Sequence, residues 1–189
     1  MIRQAAATDA VYVAPLIYEA IGSGIAYSLT GAAEADEAIS RISEAFAQKG
    51  NRLSFENAVV AIKQEIPVGF ALFYHGSQTE KLDQPFVEQW VRRTGQAPVI
   101  VKEARDDEFY LDSLAVQYDC RGQGIGTSLL RAFEQAGEKR GYSRAALLVA
   151  EENAKARKLY EAMGYKPDGT LLVSGDPYVR MSKRLPVLV

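Results

Sequence analysis

Apolar residues recur every three or four positions in several parts of this chain, which is the spacing of amphipathic helices. The clearest pattern covers 124–139, where the apolar positions form one stripe. Similar spacing predicts helices over 33–49, which Gly50 ends, and over 153–163, where Gly164 lies just past the end. A first helix is predicted from Thr8 or Asp9 to Glu19.

Two features interrupt the apolar spacing of the first helix. Pro15 lies inside the pattern and lacks a backbone N–H, so we expect a kink or a restart of the helix there. The sequence Gly22-Ser23-Gly24 follows, and we expect it to end the helix. The segment 76–105 is less regular, and only 85–93, before Gly95, has helical spacing.

Short apolar runs between these helices predict β-strands. They cover 2–4, 58–63, 68–75, 109–116, 145–150, a run from Tyr165, and 178–183. The second and third strands lie close enough to form a hairpin. The strand over 109–116, the helix after it and the strand over 145–150 form a strand–helix–strand unit, which makes two strands parallel. We therefore predict an α/β fold with a mixed sheet and a parallel central pair, in one domain over 1–189.

Composition excludes several classes of function. The net charge of −2 gives no general attraction to nucleic acid. Cys120 and His75 are the only residues of their types, so neither a disulfide nor a His/Cys metal site is expected. The N-terminus lacks the pattern of a signal peptide, and no run approaches ~18 apolar residues. We expect a cytoplasmic protein without a membrane span.

The most informative stretch is the glycine-rich turn at 121–127, between the strand over 109–116 and the best helix. Such a turn presents unpaired N–H groups and the positive end of a helix dipole, which favours a phosphate-bearing ligand. No lysine follows Gly126, so the turn is not a P-loop. Its glycines at 122, 124 and 126 do not match a dinucleotide fingerprint.

As Arg-x-x-Gly-x-Gly, the turn resembles the acyl-CoA loop of the GCN5-related N-acetyltransferases (GNAT). The stretch from Asn153 to Tyr165 resembles the signature Asn-x-x-Ala/Ser-x-x-Leu-Tyr-x-x-x-Gly-Phe/Tyr of that family, apart from Arg157, where a small residue is common. The closing strand over 178–185 is similar too. The resemblance covers about 109–185. It implies the acyl-CoA N-acyltransferase fold, a mostly antiparallel sheet whose central parallel strands splay apart, with acetyl-CoA in the cleft between them.

The resemblance also implies which residues bind the cofactor. These are Leu114, Ala115 and Val116 along pantetheine, the turn residues around the pyrophosphate, and Asn153 and Tyr160 on the following helix. The turn residues are Arg121, Gly122, Gln123, Gly124, Ile125, Gly126 and Thr127. An N–H near Leu114 or Ala115 would hold the oxyanion.

Three roles remain open at this point. Tyr160 protonates the departing thiolate by resemblance, although a buried core tyrosine would have the same pattern. Asn153 is equally a helix N-cap or a pantetheine ligand. For the general base, Asp112 is the first candidate and Glu108 the second, since both share strand parity with Tyr110, where some family members carry the acid.

These features predict an acetyltransferase that uses acetyl-CoA and a primary amine, with a small-molecule amine favoured over a protein N-terminus. Glu19, Glu34 and Asp36 are acids that would suit a cationic amine, and 76–105 is long enough for a lid or a homodimer contact. Two other functions stay open, a non-catalytic acyl-CoA sensor and an unrelated nucleotide-binding module. A covalent acyl-Cys120 intermediate is a further, weaker alternative, because no histidine lies near it in sequence.

Overall fold

A computed structural model describes residues 1–186 and shows one seven-stranded sheet between two layers of helices. The single-domain prediction covered 1–189, of which 187–189 lie outside the described residues. The strands are β1 Ile2–Gln4, β2 Ala58–Lys63, β3 Ile66–His75, β4 Phe109–Val116, β5 Arg144–Ala150, β6 Lys166–Val173 and β7 Asp176–Arg184. The helices are α1 Ala10–Thr30, α2 Ala35–Ala47, α3 Thr79–Thr94, α4 Ile125–Lys139 and α5 Ala154–Ala162.

The strand order is β1-β2-β3-β4-β5-β7-β6, and only the β4–β5 pair is parallel. This confirms the predicted mixed sheet with its parallel central pair. The β2–β3 hairpin is also present, closed by Gln64 and Glu65 with positive φ. Helix α4 connects β4 to β5 and covers one face of the sheet, while α1, α2 and α3 pack on the other face.

A β-bulge lies in β4 at Asp112. Leu72 of β3 pairs with Ser113 and the next residue, Phe73, pairs with Leu111, so Asp112 has no partner across the strands. Residues directly opposite each other in a sheet point to the same face, and Leu72 belongs to the core under α1 and α2. The bulge therefore turns both Asp112 and Ser113 toward that face, instead of alternating them.

The break in α1 lies within the predicted Gly22-Ser23-Gly24 sequence and not at Pro15. Backbone angles stay helical through Pro15, so the expected kink there was wrong. Proline removes a bond to the carbonyl of Val11, which is exposed and open to water. The interruption is at Gly22, whose φ of 77° only glycine adopts easily, and the helix then resumes through Gly24 to Thr30.

The segment after β3 contains more structure than its sequence indicated. Helix α3 begins at Thr79, six residues before the predicted start, and Thr79 Oγ1 donates to the carbonyl of Gly76. Trp90 of α3 donates to the carbonyl of Ser28 at the end of α1. Residues 95–108 then run back to β4 without regular structure.

Helical residues 7–30 are long and apolar enough to cross a membrane by length and composition. Core helices of folded domains meet the same criterion. In this chain Val13 and Ile17 are fully buried in the core beneath the sheet, and α1 contacts β3 and β4.

The close approach of Gly76 to the segment 95–108 generates a stability prediction. A Cβ at Gly76 would lie 1.8 Å from the backbone oxygen of Arg105, so Gly76→Ala must displace backbone. We expect a loss of about 1–3 kcal/mol in the free energy of unfolding, measured by urea denaturation. In Gly24→Ala, the matched control, the new Cβ meets nothing closer than 3.8 Å and should be neutral or stabilising. Equal stabilities for the two variants would contradict the packing described.

Candidate active site

The candidate site is a cleft formed where β4 and β5 separate. The two strands pair only over Phe109–Leu111 and Ala145–Leu147, and beyond these residues they diverge. On its other edge β4 stays paired with β3 as far as Val116. Every second residue of 112–116 therefore directs its N–H and C=O into the cleft, where an extended amide chain can bond them.

The glycine turn lies at the open end of this cleft. Helix α4 begins at Ile125 after Gly124, and both Gly122 and Gly124 have a φ of 77°. The N–H of Ser128 makes the first helical bond, to the carbonyl of Gly124 at 3.0 Å. The N–H groups of 125–127 precede it and have no partner within the helix, so they are available to an anion.

Arg121 is already engaged by protein groups. Its Nε donates to the carbonyl of Val116 at 2.8 Å, and one Nη contacts Glu19 of α1 at 2.5 Å. The pair is partly exposed, since 37% of the Arg121 side chain and 54% of the Glu19 side chain are accessible. Glu19 thus lies beside Arg121, near the glycine turn.

Asn153 and Tyr160 lie on the β5 side of the cleft. The Asn153 side-chain oxygen accepts from the N–H of Ala156 at 3.1 Å, which establishes the N-cap role. The side-chain N–H₂ group takes no part in this hydrogen bond. Tyr160 is 8% exposed, lines the cleft and packs edge-on against Tyr165. Its hydroxyl has no hydrogen-bond partner among residues 1–186, and burial raises its pKa to about 12.

Asp112 lies in the cleft within a buried polar network. Its Oδ2 accepts from Arg52 at 2.5 and 3.1 Å and from Tyr74 at 2.7 Å. Arg52 precedes β2 and is itself buried, so it offsets part of the charge of Asp112 in a region of low dielectric.

Glu103 is a second acid in the cleft, and sequence analysis did not identify it. It accepts from the hydroxyl of Tyr110 and lies 3.4 Å from Arg52. Burial raises the pKa of the Glu103 carboxyl. Neither Glu103 nor Arg52 belongs to a local motif. They lie seven and 58 residues before Tyr110, so only the fold brings the three together.

Glu108 occupies a different environment. It lies just before β4 and is completely buried, with Arg180 of β7 donating to both of its carboxylate oxygens at 2.7 and 2.8 Å. The backbone N–H of Arg105 also donates to it. Glu108 is not among the residues that line the cleft, and its contacts with Arg180 and with the N–H of Arg105 hold the end of the segment 95–108 against β7.

Two other residues lie outside the cleft. Cys120 is buried in the core beneath α4 and does not line the cleft. His75 stacks on Tyr142 and contacts Ser77. The structure therefore provides no Cys–His pair at the cleft for a covalent intermediate.

Known proteins resemble this chain in sequence and in fold. The sequence profile described as the Acetyltransferase (GNAT) family matches residues 28–165. Probable N-acetyltransferase camello from Xenopus laevis is 44% identical over 79 residues, which are 42% of this chain and 34% of that protein. The match thus spans about a third of the curated relative.

Two solved structures match nearly the whole chain. One is described as an acetyltransferase, with a TM-score of 0.82, 26% identity, and coverage of 98% of this chain and 100% of the other. The other is an N-acetyltransferase from Staphylococcus aureus Mu50, with a TM-score of 0.82, 24% identity, and coverage of 97% and 100%. A profile match over more than half of the sequence, on the fold and the splayed strands described above, places the chain in the GNAT family of acetyltransferases.

Proposed function

We propose that this protein transfers the acetyl group of acetyl-CoA to a primary amine by direct attack within a ternary complex. The observation that supports this best is the cleft itself. Its β4 edge is unpaired beyond Leu111, one end meets the N-terminus of α4, and the Tyr160 hydroxyl in its wall has no hydrogen-bond partner within residues 1–186. A small-molecule amine remains the favoured acceptor.

In this proposal acetyl-CoA follows the β4 edge. The N–H groups of the turn around 123–127 bind the pyrophosphate, and the free backbone groups of Leu114–Val116 pair with the pantetheine amides. Asn153 can cap α5 and still offer its amide to pantetheine. Arg121 reaches the pyrophosphate by exchanging its contact with Glu19 for a phosphate oxygen.

The chemical step needs a donor for the leaving group. The amine nitrogen attacks the thioester carbon, and a backbone N–H near Leu114 or Ala115 holds the oxyanion that forms. The C–S bond then breaks, and Tyr160 gives its proton to the departing thiolate. A pKa of about 12 keeps Tyr160 protonated at neutral pH, as a donor requires.

The same reaction needs a group that removes a proton from the acceptor's ammonium, so that the neutral nitrogen can attack. We assign this role to Glu103, acting directly or through the hydroxyl of Tyr110, which would pass its own proton to Glu103 and take one from the amine. The carboxyl pKa of Glu103 is raised by burial, which makes it a better base than an ordinary carboxylate. Asp112 is closely bound by Arg52 and Tyr74, and we propose that it orients the acceptor.

A non-catalytic acyl-CoA sensor on the same fold is the second candidate function. The glycine turn alone would serve it as well. A sensor would need neither the free hydroxyl that Tyr160 shows within residues 1–186 nor the Glu103–Tyr110 pair at the cleft. We favour the enzyme for this reason.

A charge reversal at the start of α4 tests the cofactor site. Thr127→Asp should leave the melting temperature of the free protein unchanged or slightly higher, because acids stabilise helix N-termini by about 0.3–1 kcal/mol. It should weaken acetyl-CoA binding at least about tenfold by repelling the pyrophosphate. Calorimetric titration measures this, with Thr127→Asn as the uncharged control. Equal affinities for the two variants would place the pyrophosphate elsewhere.

Removal of one hydroxyl tests the leaving-group donor. Tyr160→Phe should lower kcat about a hundredfold or more, with little change in the affinity for acetyl-CoA. In the parent enzyme, deprotonation of Tyr160 should reduce the rate only as the pH rises toward about 12. Thiol release measures the rate. Unchanged turnover in Tyr160→Phe would remove this residue from the mechanism.

Loss of the proposed base should change the acidic limb of the pH profile. Because burial raises the pKa of Glu103, its base form is present only above that raised value, and the rate should fall as the pH falls through it. Glu103→Gln should lower kcat about a hundredfold or more and abolish that limb. The exposed Glu44, remote from the cleft, gives the control Glu44→Gln. Persistence of the limb in Glu103→Gln would assign the proton to another group, with Asp112→Asn the next variant to measure.

A further inference from the structure

Two carboxylates that line the cleft and a third that does not line it surround one arginine, and we name these three carboxylates with that arginine the acidic cluster. Its members are Asp83, Glu103 and Asp112, with Arg52 at the centre at distances of 3.4, 3.4 and 2.5 Å. Only 6% of the Arg52 side chain and 3% of the Asp112 side chain are exposed. One guanidinium offsets the charge of one carboxylate, and burial raises the pKa of Asp83 and of Glu103. A further positive charge beside them would therefore stabilise their ionised forms.

The polar atoms left over in this region are acceptors. Asp112 receives all its hydrogen bonds from residues 1–186 on Oδ2, which leaves Oδ1 without a donor. The hydroxyl of Tyr74 donates to Asp112 and that of Tyr110 donates to Glu103, so each hydroxyl oxygen can only accept a further hydrogen bond. A ligand that suits this surface must supply hydrogen-bond donors and positive charge.

Ser113 gives an independent indication that this part of the cleft binds a polar ligand. It is 7% exposed and lines the cleft beside Asp112, and its Oγ is buried without a hydrogen-bond partner among the described residues. Buried hydroxyls in folded proteins are nearly always satisfied. The bulge at Asp112 turns Ser113 to the same face as the carboxylates, where alternation would have turned it away.

We infer that the acceptor is a compact amine that carries a second positive charge, such as an aliphatic diamine. This inference rests on the proposed acetyl transfer. One amine is deprotonated at Glu103 and attacks the thioester. The other stays charged and donates to Asp112 Oδ1 and Ser113 Oγ, and its positive charge adds to that of Arg52 beside the carboxylates. Ile21 and Ile25 of α1 line the same cleft and suit a methylene chain between the amines.

The acidic cluster also disfavours two other kinds of acceptor, those that carry a carboxylate and those with a single amine. A carboxylate on the acceptor would face like charges in a poorly solvated cleft, so amino acids and acidic peptide N-termini should be poor substrates. A simple monoamine would leave Ser113 and Asp112 Oδ1 without donors.

Three acceptors of equal chain length test this directly. With 1,4-diaminobutane, 1-aminobutane and 4-aminobutanoate, kcat/KM should be about ten to a hundred times higher for the diamine than for the monoamine, and lowest for the amino acid. Equal values for the diamine and the monoamine would overturn the inference.

Two variants locate the second ammonium. Ser113→Ala should leave the melting temperature of the free protein unchanged or raise it, because it removes a buried hydroxyl without a partner. It should nevertheless lower the diamine-to-monoamine ratio of kcat/KM several-fold. Asp112→Asn should lower the ratio further, while Glu44→Gln, which removes the same charge at the surface, should leave it unchanged. A ratio unaffected by Ser113→Ala and Asp112→Asn would count against the site.

A binding measurement separates failure of this inference from failure of the proposed function. The protein saturated with CoA is titrated with 1,4-diaminobutane and with 1-aminobutane in a calorimeter. Preferential binding of the diamine without turnover of any amine would support the acidic cluster as a cation site and reject the transferase proposal. Turnover of monoamines without preferential binding of the diamine would do the reverse.

Discussion

The separation of β4 from β5 after three paired residues is the constraint on which the rest of the site depends. Opening a sheet at its centre leaves backbone donors and acceptors without partners, at about 1–3 kcal/mol for each group that stays buried and unsatisfied. The sheet remains intact on both sides, because β3 holds β4 and β7 holds β5 along their outer edges. The opening is therefore rigid, and an extended amide ligand that fills it recovers the missing hydrogen bonds.

Two ion-pair networks meet at the segment 95–108 and fix the end of the cleft opposite the glycine turn. Arg180 binds Glu108 and also donates to the backbone carbonyl of Glu103 at 2.6 Å. Arg52 and Tyr110 hold the Glu103 side chain. A segment without regular structure can thus position a buried carboxylate, because its backbone and its side chain are anchored by different arginines.

The residues that could be predicted from sequence are those whose partners lie close along the chain. The glycine turn and the cap at Asn153 depend on residues within one short segment, and each is present as expected. Strand parity put Asp112 and Glu108 on the face of Tyr110, and the partners of both lie on that face. Parity could not show that Arg180 binds Glu108 just before the first paired residue of β4, away from the residues that line the cleft. Glu103 and Arg52 have no local signal, since their contacts join the segment before β2 to the segment before β4.

The two halves of the cleft differ in chemistry because the ligands proposed for them differ. A cofactor with a pyrophosphate and two amides needs mainly backbone groups, so its site depends on glycines and on strand geometry more than on side chains. An acceptor is distinguished by charge, which only side chains supply. The bulge at Asp112 connects the two requirements, because it turns Asp112 and Ser113 to one face directly before Leu114–Val116, the residues proposed to bind the cofactor. In the proposed complex, a single extra residue in β4 would thus set the reacting carbon next to the surface that selects the amine.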